Sequence, residues 1–309
     1  MKMTAKYSPK FENLMQMSVD LPPIDVAIIS PDTEEALEGA VIAAEEKHIN
    51  PVLIGDLASM RNTASKLNLD ISKYKCIDLP PKESILLGVK MAREDKVQAI
   101  MKGSVHTDEL MEEIVNKERG LRTEMRMSHC MLVDLPTYKK LFVLTDVALN
   151  IFPNLETKKS IVQNAINFAR SLSIPKPKVA LLSAVENVTD RIPTTQEYAE
   201  ISKLSLSGEI SGGIVEGPLS FDIAASKRAA EAKKIHSEVA GDFDVLVVPN
   251  LECGNILTKA LDIFAGAMSL GIILGAKVPI ILTSRSASAR SRAGSCVLAK
   301  FIVNKRRLD

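Results

Sequence analysis

Eleven short runs rich in Val, Ile and Leu, separated by longer segments with helical spacing, predict an α/β protein built on parallel sheet. Most of these runs are apolar on both faces, as strands buried between crossover helices must be. A length of 309 residues, 46% of them hydrophobic and 25% charged, leaves room for more than one full core.

The predicted strands are IDVAIIS (24–30), PVLIG (51–55), YKCIDLP (74–80), VQAIMKG (97–103), HCMLVDL (129–135), KLFVLTD (140–146), KVALLSA (178–184), GIVEG (213–217), DVLVVPN (244–250), LGIILGA (270–276) and PIILTS (279–284). The first helix is expected after Ser30-Pro31, with Asp32 as N-cap, Glu35 at the capping-box position and Leu37, Val41 and Ala44 on one face. Comparable helices are predicted at about 83–94, 106–117, 156–172, 195–206, 221–237, 253–266 and 287–305. Eleven strands exceed the usual sheet. A break near Pro136, followed by a second series of strand–helix units, predicts a second domain inserted before the C-terminal helix returns to the first.

Composition narrows the function. Lys and Arg number 39 against 38 Asp and Glu, so a net charge of +1 supplies no global field for nucleic acid or an anionic membrane. Aromatic residues are 4% and Trp is absent, which removes the stacking platforms of a single-strand binder. Cys76, Cys130, Cys253 and Cys296 form no CxxC pair, so neither zinc nor a disulfide framework is indicated, and a reducing cytoplasm is expected. The N-terminal stretch lacks the apolar core of a signal peptide, and Ala265–Ala276 is too short to span a bilayer; a soluble, cytoplasmic protein is predicted.

In open α/β folds ligands lie beyond the carboxyl ends of the strands, which directs attention to four segments. In TSRSASARSRAGS (283–295) a strand gives way to a helix, where backbone N–H groups, the hydroxyls of Ser284, Ser286 and Ser288, and the Arg285 guanidinium can cradle a phosphate. The alternative is a serine cap before a solvated basic helix. In PNLECGN (249–255), Gly254 beside Asn255 allows a tight turn and close approach of a ligand; the alternative is an ordinary loop capped by Asn250. Cys253 has no base tied to it by sequence. In MKGSVHTDEL (101–110), Lys102 can neutralise a phosphate and His106 can hydrogen-bond a substrate or simply cap the helix, while Walker A spacing is missing. In GGIVEGPLSFD (212–222), Gly217-Pro218 forces a turn and Asp222 can cap the next helix; for Asp146, Asn150, Glu216 and Asp222 a structural role is the default. No metal-ligand spacing and no GxGxxG after the first strand are present.

Taken in order, MKGSVHTDEL, GLRT, MSH, VENVTDRIPTT, GGIVEGPLSFD, VVPNLECGN, GIILGA and PIILTSR resemble the phosphate acetyl/butyryltransferase family over nearly the whole chain, in particular butyryltransferases and the acyltransferase half of bifunctional enoyl-CoA hydratase/phosphate acetyltransferases. The resemblance implies two α/β domains like those of isocitrate and isopropylmalate dehydrogenases, with the active site in the cleft between them and a homodimer as the usual assembly. Strand counting and the resemblance together give domains of 1–134 plus 277–309 and of 135–276. The implied reaction converts acyl-CoA and phosphate to acyl phosphate and CoA, with CoA as substrate, no bound cofactor, no metal and no covalent intermediate. The family's Ser-Arg pair falls on Ser284 and Arg285, and its Gly-Asn turn on Gly254 and Asn255. Lys102, His106, Asp222 and Arg290 complete the expected substrate-binding set.

One position departs from the family. Acetyltransferase members commonly place an Asp seven residues beyond that Ser, and this chain has Ser291, flanked by Arg290 and Arg292. The base then comes from elsewhere, with Asp222 and Glu216 as candidates, or electrostatic lowering of the thiol pKa suffices; the Arg-rich helix can instead recognise the phosphates of CoA. Two rivals remain. An isopropylmalate-type NAD-dependent dehydrogenase shares the implied fold but needs a metal-binding aspartate cluster that the sequence lacks, and a non-catalytic CoA-binding paralogue would follow from the missing Asp.

Overall fold

The computed structural model describes residues 7–284 and 287–307. In chain order the elements are α1 (Pro9–Met17), β1 (Ile24–Ile29), α2 (Glu34–Glu45), β2 (Ile49–Gly55), α3 (Leu57–Leu67), β3 (Lys75–Asp78), α4 (Pro81–Arg93), β4 (Ala99–Lys102), α5 (Thr107–Ile114), β5 (Ser128–Asp134) and β6 (Phe142–Thr145). They continue as α6 (Leu155–Ser171), β7 (Lys178–Leu182), α7 (Pro193–Leu206), β8 (Ile214–Leu219), α8 (Phe221–Ala225), α9 (Lys227–Ala232), β9 (Val245–Val247), α10 (Leu251–Ala265), β10 (Met268–Leu274), β11 (Ile280–Ile281) and α11 (Ala289–Arg306). Each predicted apolar run contains a strand. The chain divides into two compact units, Met1–Met125 with Leu270–Asp309, and Arg126–Ser269.

In the first unit the strand order is β3-β2-β1-β4-β11-β10, parallel through β11, with β10 antiparallel to it. The interior is aliphatic: Ile24, Ile28, Ile29, Leu53 and Ile54 are fully buried, each worth about 1.5–3 kcal/mol of transfer free energy. Apart from Arg290, helix α11 is buried from Ala289 to Asn304, because Ala, Gly, Ser and Cys at 293–296 let it sit deep in the unit. In the second unit the order is β5-β6-β9-β7-β8, parallel except for the β5–β6 pair. Its core includes an aromatic cluster in which Tyr138 stacks on Phe243 at 4.5 Å and Phe142 meets Phe243 edge-on at 5.2 Å. The Tyr138 hydroxyl donates to the Phe243 carbonyl at 2.9 Å, satisfying the one polar atom of the cluster.

Four local expectations are corrected. Helix α1 precedes the one expected to be first: Ser8 accepts from the Phe11 N–H, Pro9 occupies the first turn, and Phe11 and Leu14 are buried. Helix α3 is a second addition, capped by Asp56 and closed by Asn68 in the left-handed region. The N-cap of α2 is Thr33 rather than Asp32, without a side-chain capping bond. The helix expected over 221–237 is two short helices, because Ser226 adopts an extended backbone (φ −141°, ψ 114°) and caps α9 instead.

Candidate functional site

In the first unit β1, β4 and β11 are parallel neighbours, so Ser30, Gly103 and Thr283 leave their strands along one edge. The Gly103 and Ser104 N–H groups donate to the Ile29 and Ser30 carbonyls, each at 2.8 Å. A Cβ at Gly103 would lie 2.1 Å from the Ser30 carbonyl oxygen, so only glycine fits this approach. Lys102 is buried, and its ammonium donates to the carbonyls of Gly103 (3.1 Å) and Val105 (2.9 Å) of its own loop. His106 is exposed at the N-cap of α5, with no side-chain capping bond.

Beyond β11, Ser284 is exposed, while Arg285 and Ser286 lie outside the described residues. The Ser284 carbonyl accepts from the Ala287 N–H at 3.1 Å and from Arg292 Nη2 at 3.2 Å. Ser288 caps α11 by accepting from the Ser291 N–H at 3.1 Å, and the two hydroxyls lie 3.2 Å apart. Position 291 therefore offers a hydroxyl engaged with the helix cap and no carboxylate. Arg290 has different company: it pairs with Glu46 at 2.6 Å and lies over the Tyr7 ring at 4.5 Å, while its carbonyl accepts from the Tyr7 hydroxyl at 2.7 Å. Arg292, which sequence reasoning named only as part of an Arg-rich helix, is buried at 4% exposure. Burial lowers its pKa, with the charge of Glu35 opposing.

In the second unit β6, β9, β7 and β8 are parallel, and the remaining candidates follow their carboxyl ends except Glu216, which lies within β8. Asp146, after β6, is buried and accepts from the N–H groups of Ala148 (2.9 Å), Leu149 (3.0 Å) and Asn150 (3.3 Å) and from the Asn150 amide (2.6 Å). After β9, Asn250 caps α10 by accepting from the Cys253 N–H at 3.0 Å. Gly254 and Asn255 thus sit within the first turns of a helix that begins at Leu251, not in the open turn expected from their sequence. A Cβ on Gly254 would lie 2.6 Å from the Asp146 carbonyl oxygen, so the glycine serves close packing of α10 on the Asp146–Val147 segment. Asn255 is half-buried.

Glu216 accepts from the Ser237 hydroxyl and from the Glu238 N–H at 3.0 Å. Asp222 is exposed in the first turn of α8, whose N-cap is Ser220, and pairs with Lys233 at 3.1 Å. The Ser220 hydroxyl and the Lys233 ammonium hold its carboxyl below the usual range, which weakens it as a base at neutral pH. Among the described residues no group of three or more His, Cys, Asp or Glu is placed to hold a metal ion.

Comparison with known proteins joins these observations to a family. The chain is 47% identical over 305 residues to a phosphate acetyltransferase from Rickettsia felis, covering 96% of this chain and 87% of that protein. It is 35% identical over 282 residues to a phosphate butyryltransferase from Clostridium acetobutylicum, covering 91% and 94%. The crystal structure of a branched-chain phosphotransacylase from Enterococcus faecalis V583 superimposes with a TM-score of 0.78 at 31% identity, covering 91% of this chain and 99% of that one. These relatives favour the acyltransferase reading over the dehydrogenase. Residues 80–299 match the phosphate acetyl/butaryl transferase family, and the chain belongs to it.

Proposed function

We propose that the protein transfers a short acyl group, acetyl or butyryl, between CoA and inorganic phosphate through a ternary complex, with Ser284 and Arg285 carrying the transfer. The observation that supports this most directly is the placement of the exposed Ser284 at a strand end ahead of α11, a long helix whose N-terminus favours anions. A phosphate oxygen forms the new C–O bond to the thioester carbonyl carbon, the C–S bond breaks, and the thiolate leaves with the electron pair. In the reverse direction the thiol, with an ordinary pKa of about 8.5, must first lose its proton. Glu216 is engaged by Ser237 and Glu238, and Asp222 by Lys233, so neither is free to serve as the base. Local positive charge that lowers the thiol pKa is the reading these partners support.

Of the expected substrate-binding residues, His106 and Asn255 remain proposed to touch substrate, while Lys102 and Gly254 are proposed to act indirectly, each within its own unit. Lys102 acts through the loop it ties, and Gly254 by shaping the start of α10. Arg290 is reassigned to holding α11 against Glu46 and Tyr7. Whether the pocket prefers acetyl or butyryl turns on about 1–3 kcal/mol per methylene. The homodimer belongs to the same proposal. Helix α10 exposes Ile256, Ile263 and Phe264 along one stripe, with Phe264 88% exposed, and sedimentation at micromolar concentration tests whether a second copy covers it. A cytoplasmic location is supported by four free cysteines, and no described helix is long and apolar enough to cross a membrane.

Initial-rate kinetics test the mechanism. Varying acyl-CoA at several phosphate concentrations is expected to give intersecting double-reciprocal lines. Parallel lines would indicate a covalent acyl-enzyme and contradict the ternary complex.

A further inference from the structure

We propose that Arg292 is a positioning residue for acyl transfer, holding the strand-end loop that carries Ser284 through the Ser284 carbonyl. The proposal rests on the reading that Ser284 and Arg285 carry the reaction. Its grounds are geometric. Arg292 is the fourth residue of α11 and only 4% exposed. Nη2 donates to the Ser284 carbonyl at 3.2 Å, the same oxygen that receives the Ala287 N–H at 3.1 Å, while Nε and Nη1 are buried without an acceptor.

Such a residue is costly. A guanidinium taken out of water with two donors unpaired destabilises the fold unless something retains it, and an apolar side chain would fill the same space among Ala289, Ala293 and Cys296 more favourably. The neighbouring helix α2 is built to seal it in. A Cβ on Gly39 would lie 2.8 Å from Arg292 Cβ and 2.9 Å from the Ala289 carbonyl oxygen, so α2 approaches α11 as closely as only glycine allows. What the arginine does make is one bond, to the backbone of the residue proposed to act on substrate. Fixing that carbonyl fixes the orientation of Ser284, and the desolvated charge beneath the loop has the sign that a phosphoryl group requires. The hydroxyl at Ser291 is consistent with this, since a carboxylate at the next residue would add a neutralising charge beside the guanidinium.

The test uses Arg292→Met, Arg292→Lys, Ser284→Ala and the double variant Ser284→Ala/Arg292→Met, with kcat, KM, thermal midpoint and amide exchange at Ala287 measured for each. Arg292→Met is expected to unfold no earlier than wild type, to lower kcat about 30-fold with KM for acyl-CoA within about 3-fold, and to speed Ala287 exchange at least about 10-fold. Arg292→Lys, which keeps a donor and the charge, is expected within about 5-fold of the wild-type kcat, and the double variant no slower than Ser284→Ala alone. Unchanged Ala287 exchange, or a loss in the double variant equal to the product of the single losses, overturns the proposal. If wild type itself releases no CoA, the transfer reading fails and the exchange data alone decide whether Arg292 anchors the loop. If Arg292→Met does not fold, Arg292→Ala takes its place in the single and double variants, and unchanged Ala287 exchange or a multiplicative loss in the double variant overturns the proposal in the same way.

Discussion

In the unit formed by Met1–Met125 and Leu270–Asp309, buried cations tie down the strand-end loops: Lys102 donates to the carbonyls of Gly103 and Val105, and Arg292 to that of Ser284. In the Arg126–Ser269 unit carboxylates hold the loops, Asp146 accepting the N–H groups of residues 148–150 and Glu216, from within β8, the Ser237 hydroxyl and the Glu238 N–H. Both devices satisfy backbone that the strand has left behind, but they leave opposite charge in place. A unit charge 4 Å from an anion contributes about 4 kcal/mol at an effective dielectric near 20, enough to decide which edge favours phosphate. The proposed function assigns the phosphate to the first unit, while carboxylates of the second hold its loops.

The largest effect that would sharpen this contrast is catalytic. Ser284→Ala/Arg285→Ala is expected to lower kcat by about 100–1000-fold, while Asp222→Asn in the second unit changes it by less than about 5-fold. Comparable losses in both would break the assignment of the anion to the first unit. Next comes stability. Asp146→Ala strands the N–H groups of Ala148, Leu149 and Asn150, and urea unfolding is expected to report a loss of about 3 kcal/mol. A loss under about 1 kcal/mol would mean that water satisfies those groups as well as the carboxylate does.

Acid should act on the second unit through the same chemistry. Lys139, Lys178 and Lys140 surround Asp242 and hold its carboxyl well below the ordinary value. Because the folded pKa is depressed, this contribution is present in full above the unfolded value of about 3.9 and is lost as pH falls through the folded one. Asp242→Asn is therefore expected to be less stable than wild type at pH 7, by no more than about 1 kcal/mol since the group is partly exposed, with the gap closing below about pH 4. A gap that widens in acid would reverse the sign of the argument. The smallest effect belongs to Arg290→Gln: about 0.5 kcal/mol of stability, with KM for CoA unchanged within about 2-fold. A large rise in that KM would return Arg290 to the CoA site.

Much of the fold was legible because its signals are local. The eleven apolar runs each hold a strand, since a buried parallel strand has to be apolar on both faces. Helices α1 and α3 escaped notice although Ser8-Pro9 and Asp56 are ordinary start signals, because their polar faces dilute the apolar spacing. The Gly254-Asn255 pair reads as a turn by composition; what places it in a helix is the need to bring α10 against Asp146, a residue more than a hundred positions away. Arg292 was the least legible. An arginine that follows Arg290 and Ser291 looks solvated, and only the small residues at 293–296 and the glycine at 39 hint that this helix is enclosed.

The central claim is tested most directly by following free CoA with a thiol reagent as the purified protein is given acetyl-CoA, propionyl-CoA or butyryl-CoA with and without inorganic phosphate. The account predicts release that requires phosphate, with one chain length turned over fastest. Release that is independent of phosphate, or none with any of the three, would contradict it.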